Sequence, residues 1–227
     1  MRMRWTDLLF AHWPVDAAAL RPLMPAALEL DLYGGQAWLG IVPFRMSDVS
    51  PRGLPAVPGV SSFPEVNVRT YVRHGDLDGV WFLSLDAASR LTVAGARAAF
   101  HLPYFLAAMS IEPRAEGVAY RSERQDGLGA PAALDVSYGP TGPVRYAEPG
   151  SFEAWSTDRM RLFAADGDGR LSRTEIGHAP WPLQSAEASF TIETLSTAAG
   201  LELPAGIEPR LAYAGRIDVR AWWPRRA

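Results

Sequence analysis

An α+β fold dominated by antiparallel strands, shaped as a large curved sheet or incomplete barrel, is what this 227-residue sequence predicts. Three observations predict it. Apolar or alternating runs of strand length recur along the chain. Turns bearing glycine or proline separate them. Helical spacing is confined to a few short stretches, which argues against repeating β-α-β units. No composition break divides the chain, so residues 1–227 are expected to form one domain. A domain of this size buries roughly 70–75% of its unfolded surface.

The elements follow in order. Residues 8–13, Leu8-Leu9-Phe10-Ala11-His12-Trp13, read as a buried first strand closed by Pro14. Asp16 is a good N-cap for a short helix reaching Met24, where Pro25 ends it. Residues 28–32 and 37–44 are strand-like around a Tyr33-Gly34-Gly35 turn. Residues 47–64, rich in proline and glycine, predict a long loop of the kind that is functional or flexible. Residues 66–72 and 80–85 predict a hairpin through Gly75 and Gly79. Asp86 is expected to cap the one clear helix in the middle of the chain, carrying Leu91, Ala94 and Ala98. Strands are expected at 105–111, 117–123 and 133–138, then a short helix capped by Ser151. Strands near 159–164, 170–177 and 184–193, a helix near 195–199 and a last strand over 210–222 complete the reading.

Composition excludes several function classes. The net charge of −3 comes from dispersed charges, so no nucleic-acid or anionic-membrane surface is expected. Without cysteine there are no disulfides, thiolate nucleophiles or Cys-type zinc sites. No apolar run approaches the roughly 20 residues of a membrane span. Asp7 interrupts any signal-peptide pattern after the basic start. A soluble, cytoplasmic protein is the expectation, and a homo-oligomer is compatible with it. No phosphate-binding glycine loop, Gly-x-Ser-x-Gly elbow or His-Glu-x-x-His pair is present, and no cofactor is called for. Residues 164–175 mimic a calcium loop but begin with Ala164 where a carboxylate belongs. The Asp166-Gly167-Asp168-Gly169 stretch between strands predicts a hairpin instead.

All 22 basic residues are arginine; the chain has no lysine. That bears on a resemblance carried by three segments. Residues 16–31 are similar to the helix-then-strand that opens acetoacetate decarboxylase-like domains. Phe63-Pro64-Glu65 resembles that superfamily's glutamate-bearing segment. Residues 97–104 resemble its turn from an arginine to the imine-forming lysine, and Tyr104 stands at the lysine's place. A finer resemblance is to the YqjF-like family of uncharacterised bacterial proteins within that superfamily. It is carried by Phe10-Ala11-His12-Trp13-Pro14-Val15, Glu65-Val66-Asn67-Val68-Arg69-Thr70-Tyr71-Val72, Gly79-Val80-Trp81-Phe82, Leu102-Pro103-Tyr104 and His178-Ala179-Pro180-Trp181-Pro182-Leu183. The resemblance implies a cone-shaped β-barrel with an interior ligand pocket, and it implies Glu65 and Arg97 as pocket residues. It also shows departures. The helper lysine is gone, Ala98 replaces a glutamate, and an arginine of the first strand falls at Thr6, with Arg4 close enough to substitute.

The candidate residues follow from both readings. Glu65 in an apolar pocket would have a raised pKa and serve as acid or base. Arg69 lies an even number of positions away and shares its sheet face. Arg97 is expected to grip a carboxylate or to tie Glu65 in place. Tyr104 is expected to donate to a ligand carbonyl, or to act as an acid if its pKa falls. His101 is a further candidate for ligand contact. His12 and His178 read as structural, and a metal site formed by both with Glu65 is not called for by their spacing. The leading expectation is a small anionic or carbonyl-bearing ligand in a barrel pocket, with no imine. The alternatives are a lysine-independent lyase, hydratase or isomerase acting on a keto or enol acid, and a non-catalytic interaction protein using its tryptophans.

Overall fold

From Leu8 to Ala11 both faces of β1 (Arg2–Val15) are apolar because both are covered. Successive side chains of a strand point to opposite faces. Leu8 and Phe10 therefore enter one interior with Val42, Phe44 and Met46 of β3 (Ala37–Ser50), while Leu9 and Ala11 lie beneath a second layer. The computed structural model describes residues 1–50 and 61–227.

The first interior is enclosed by a closed circuit of paired strands. From β1 the circuit runs through β3 to β4 (Phe63–His74) and β5 (Leu77–Ala87). It continues through β9 (Arg161–Ala165) and β10 (Leu171–His178) to β13 (Arg210–Ala221), which returns to β1. The short β2 (Glu29–Leu30) extends β4 at the edge. A wing of antiparallel strands leaves the circuit at β5: β6 (Tyr104–Arg114), β7 (Gly117–Arg124), β8 (Ala133–Pro140) and β12 (Ala186–Glu193). Tyr120, Leu134 and Val136 of the wing bury Ile41, Val66 and Val68 on the outer face of the circuit. Two-residue β11 (Leu183–Gln184) and β14 (Arg225–Arg226) pair with β13 and β10.

The architecture is the mainly antiparallel α+β fold expected, with two parallel pairings, β5 with β6 and β5 with β9. Parallel neighbours need a crossover of about a dozen or more residues. Helix α2 (Arg90–Phe100) supplies it between β5 and β6. Asp16 caps α1 (Ala17–Leu20) by accepting from the Ala18 amide at 2.9 Å, and Ser151 caps α3 (Phe152–Thr157) in the same way. The last helix is α4 (Leu195–Ala198).

Four expectations need correction. Pro14 does not end β1, whose pairing with β3 passes through Trp38 opposite it. The strand expected over 28–32 shrinks to two residues. The loop expected over 47–64 is strand up to Ser50 and again from Phe63; residues 51–60 lie outside the described part. Asp86 is not a helix cap. It is a fully buried strand residue salt-bridged to Arg124, and Ser89 caps α2. The calcium-loop mimic is a hairpin: Asp166 accepts from the Asp168 and Arg170 amides, and Gly169 takes φ +76°, between β9 and β10. Among the described residues no helix is long and apolar enough to cross a membrane.

Candidate functional site

Strand β4 carries polar residues where its neighbours carry apolar ones. Its outer positions, Val66 and Val68, are buried under the wing. Its inner positions are Glu65, Asn67 and Arg69, which line a cavity of about 380 Å³ inside the circuit. The rest of that cavity is overwhelmingly aliphatic and aromatic, with Phe10, Phe44, Phe82 and Trp181 among its walls. The bulge opposite Val68 and Arg69 places its extra residue in β5, so the alternation of β4 itself is unbroken.

Glu65 is 3% exposed. Its Oε2 accepts a 2.9 Å hydrogen bond from the Tyr104 hydroxyl. Burial raises the carboxyl pKa to about 8, against the smaller lowering effect of Tyr104. Tyr104 reaches the cavity because α2 ends at His101 in a left-handed conformation, φ +53°, and Tyr104 then pairs with Leu85 on β5. Burial, reinforced by Glu65, pushes the phenol pKa well above its ordinary value. Tyr104 is thus a hydrogen-bond donor to Glu65, not the lowered-pKa acid considered from sequence.

Two guanidinium groups stand at the opposite end of the strand's inner face. Arg69 donates to the Ser156 carbonyl at 3.2 Å, while its buried Nε has no partner. Arg159, 5% exposed, gives Nη1 to Asp31 and Asp78 and Nε to the Trp155 carbonyl, leaving its buried Nη2 unpartnered. Both guanidinium carbons lie over the Tyr71 ring, at 5.7 and 5.2 Å from its centroid. Between the two ends sits Asn67, 5% exposed, whose Oδ1 also has no partner. Buried polar atoms are normally hydrogen-bonded. These unpartnered atoms are enclosed by the protein, and all three belong to residues that line the cavity.

The other candidates fall outside this set. Arg97 does not line the cavity: it donates to Asp126 at 2.5 Å and to the Tyr104 carbonyl at 2.7 Å, so it braces the backbone behind the phenol. His101 is exposed at the end of α2 and does not line the cavity either. Arg4, expected as a substitute for an inner arginine, is tied to Asp48 and Asp218 outside the cavity. His178 lines the cavity and donates Nδ1–H to the Ala179 carbonyl. His12 is buried against the Tyr71 hydroxyl, and desolvation with Arg69 and Arg210 nearby pushes its pKa well down. Among the described residues no three of His, Asp and Glu gather in a metal-ligating group.

Sequence reading missed Asn67 and Arg159. The alternation that paired Glu65 with Arg69 passes through Asn67 and contained its signal. Arg159 had none, because its carboxylate partners are 128 and 81 positions away.

Residues 2–218 match the model of the DUF2071 family, described as an uncharacterized conserved protein. The chain is 44% identical over 226 residues to the uncharacterized protein YqjF of Bacillus subtilis (strain 168), covering all of this chain and 91% of that one. Solved structures share the fold at low identity. The enduracididine biosynthesis enzyme MppR complexed with pyruvate superposes with a TM-score of 0.68 at 13% identity, over 99% of this chain and 89% of that one. An acetoacetate decarboxylase-like enzyme from Sphingomonas wittichii RW1 gives 0.65 at 15%, over 100% and 92%.

Proposed function

The chain belongs to the DUF2071 family, with an acetoacetate decarboxylase-like fold, and from that premise we propose that it binds a small anionic or carbonyl-bearing molecule in its barrel pocket without forming an imine. One observation carries this reading: Glu65, Tyr104 and Arg69 converge on a single cavity that is otherwise apolar. A protonated Glu65 accepts from Tyr104 through one oxygen and can donate to a guest carbonyl through the other. Arg69 offers a charged N–H to a carboxylate, and such charge-assisted bonds are the stronger kind. The chain has no lysine, so no side-chain amine is present to attack a ketone.

Calorimetric titration with a panel of 2-oxo acids and their matched ketones tests the proposal. The acids should bind more tightly than the ketones, and Arg69→Met should weaken the acids about tenfold or more while leaving ketones nearly unaffected. Equal loss for both classes would remove Arg69 from the anion role.

The raised pKa of Glu65 favours a second reading, a lysine-independent lyase, hydratase or isomerase acting on a keto or enol acid. A carboxyl titrating near 8 exchanges protons readily at neutral pH, where it is mostly the acid. Proton exchange or turnover of such acids, followed by NMR, should drop about a hundredfold or more in Glu65→Gln. Undiminished turnover would exclude Glu65 from the chemistry.

A further inference from the structure

The cavity carries its polar residues chiefly on β4 and beside it, with Thr174 and His178 of β10 on another wall, and they are spread out rather than clustered. Arg69 and Arg159 stand at one end, Asn67 follows, and the Glu65–Tyr104 pair comes next. Beyond Glu65 the same face of β4 reaches Phe63, opposite Met46. There the walls become mainly apolar: Met3, Met46, and Ala96, Ala99 and Phe100 of α2, with Thr92 the polar exception on that helix. From Arg69 to Phe63 is six residues, about 20 Å of extended chain. Trp223, 73% exposed, stacks on Phe100 with centroids 5.7 Å apart, and both rings line the cavity.

We infer that the guest is an extended amphipathic organic acid. Its carboxylate sits against the guanidinium of Arg69, which lines the cavity beside Arg159 and has no carboxylate partner among the described residues, an oxo or hydroxyl oxygen lies level with Asn67 and the Glu65–Tyr104 pair, and an apolar body reaches α2. This rests on the binding reading above and deepens it. A four-carbon acid satisfies the polar end and leaves the α2 end unfilled. The cavity volume of about 380 Å³ falls within the roughly 300–1,000 Å³ typical of sites for larger ligands. Asp31 and Asp78 both hold Nη1 of Arg159, whereas Arg69 donates only to a backbone carbonyl, so Arg69 is the cation left to meet an anion.

The test is a chain-length series measured by calorimetry on the intact protein: pyruvate, 2-oxohexanoate, 2-oxooctanoate and 2-oxodecanoate, with phenylpyruvate as an aromatic member. Affinity should rise about fourfold per added methylene, the ~0.8 kcal/mol of burying one CH₂, until the cavity is full. Ala96→Phe places a ring in the α2 end and should cut the decanoate-to-pyruvate affinity ratio more than tenfold. Binding of the acids with no dependence on chain length would overturn the amphipathic guest and leave the polar site standing. Failure of every acid to bind, long or short, would overturn the binding reading with it.

Discussion

Asp86→Ala is expected to destabilise the fold by about 3–5 kcal/mol, measured as a shift in the urea midpoint. Asp86 and Arg124 form a two-pronged pair, Nη2 to Oδ1 at 2.8 Å and Nε to Oδ2 at 3.1 Å. Their side chains are 0% and 3% exposed. Arg124 also lies 3.8 Å from the Phe105 ring centroid. Burial, with Asp126 nearby, raises the Asp86 pKa even against Arg124, and desolvating a buried pair can cost as much as its attraction returns. Removing the carboxylate leaves a guanidinium in the protein with no anion, which is the expensive case. Replacing both residues with apolar ones of similar size should cost much less than the single change. A double variant as unstable as Asp86→Ala would show instead that the pair is worth its burial. The pair bolts the wing strand β7 to β5 beside the cavity, so the single variant should also loosen Tyr104.

Stability should fall as pH rises from 6.5 to 8, and Glu65→Gln should remove that fall. Glu65 titrates at about 8 in the folded chain, against 4.5 when unfolded. Between those values the unfolded chain has lost the proton that the folded chain keeps. Folding then takes up a proton and weakens with increasing pH. The full span is worth on the order of 5 kcal/mol, at 1.36 kcal/mol per unit. His12 and His178 act in the other direction. Their folded pKa values are lowered, so they cost stability as pH drops below about 6.5, where the unfolded histidine is protonated. Subtracting the Glu65→Gln profile isolates the carboxyl. A flat difference between pH 6.5 and 9 would mean that Glu65 ionises normally and that solvent reaches it.

The strands of the circuit were legible in the sequence because two-residue alternation survives in β4 and β13 and β3 opens with a continuous apolar run. The double-sided burial of β1 was legible as a continuous apolar run. What escaped were features set by distant partners. Asp86 looks like a helix cap in sequence because Ser-Arg and the helix follow closely, but its arginine is 38 positions away on the wing. Arg97 looks like a pocket residue by resemblance, yet Asp126 draws its guanidinium outward. The contact between Tyr104 and Glu65 spans 39 positions, and only the superfamily resemblance brought the two residues together beforehand. Asn67 carried its own signal, since an asparagine between two valines in a buried strand needs a polar neighbour.

The central claim is that one apolar cavity offers a neutral carboxyl, a phenol and two guanidinium groups to a single acid. A crystal structure of the protein soaked with 2-oxooctanoate tests it most directly. The acid is expected inside the circuit, its carboxylate within hydrogen-bond distance of Arg69, its oxo oxygen near Glu65 and its tail against α2. Density for the acid only on the outer surface, with Asn67 and both arginines satisfied by water alone, would contradict it.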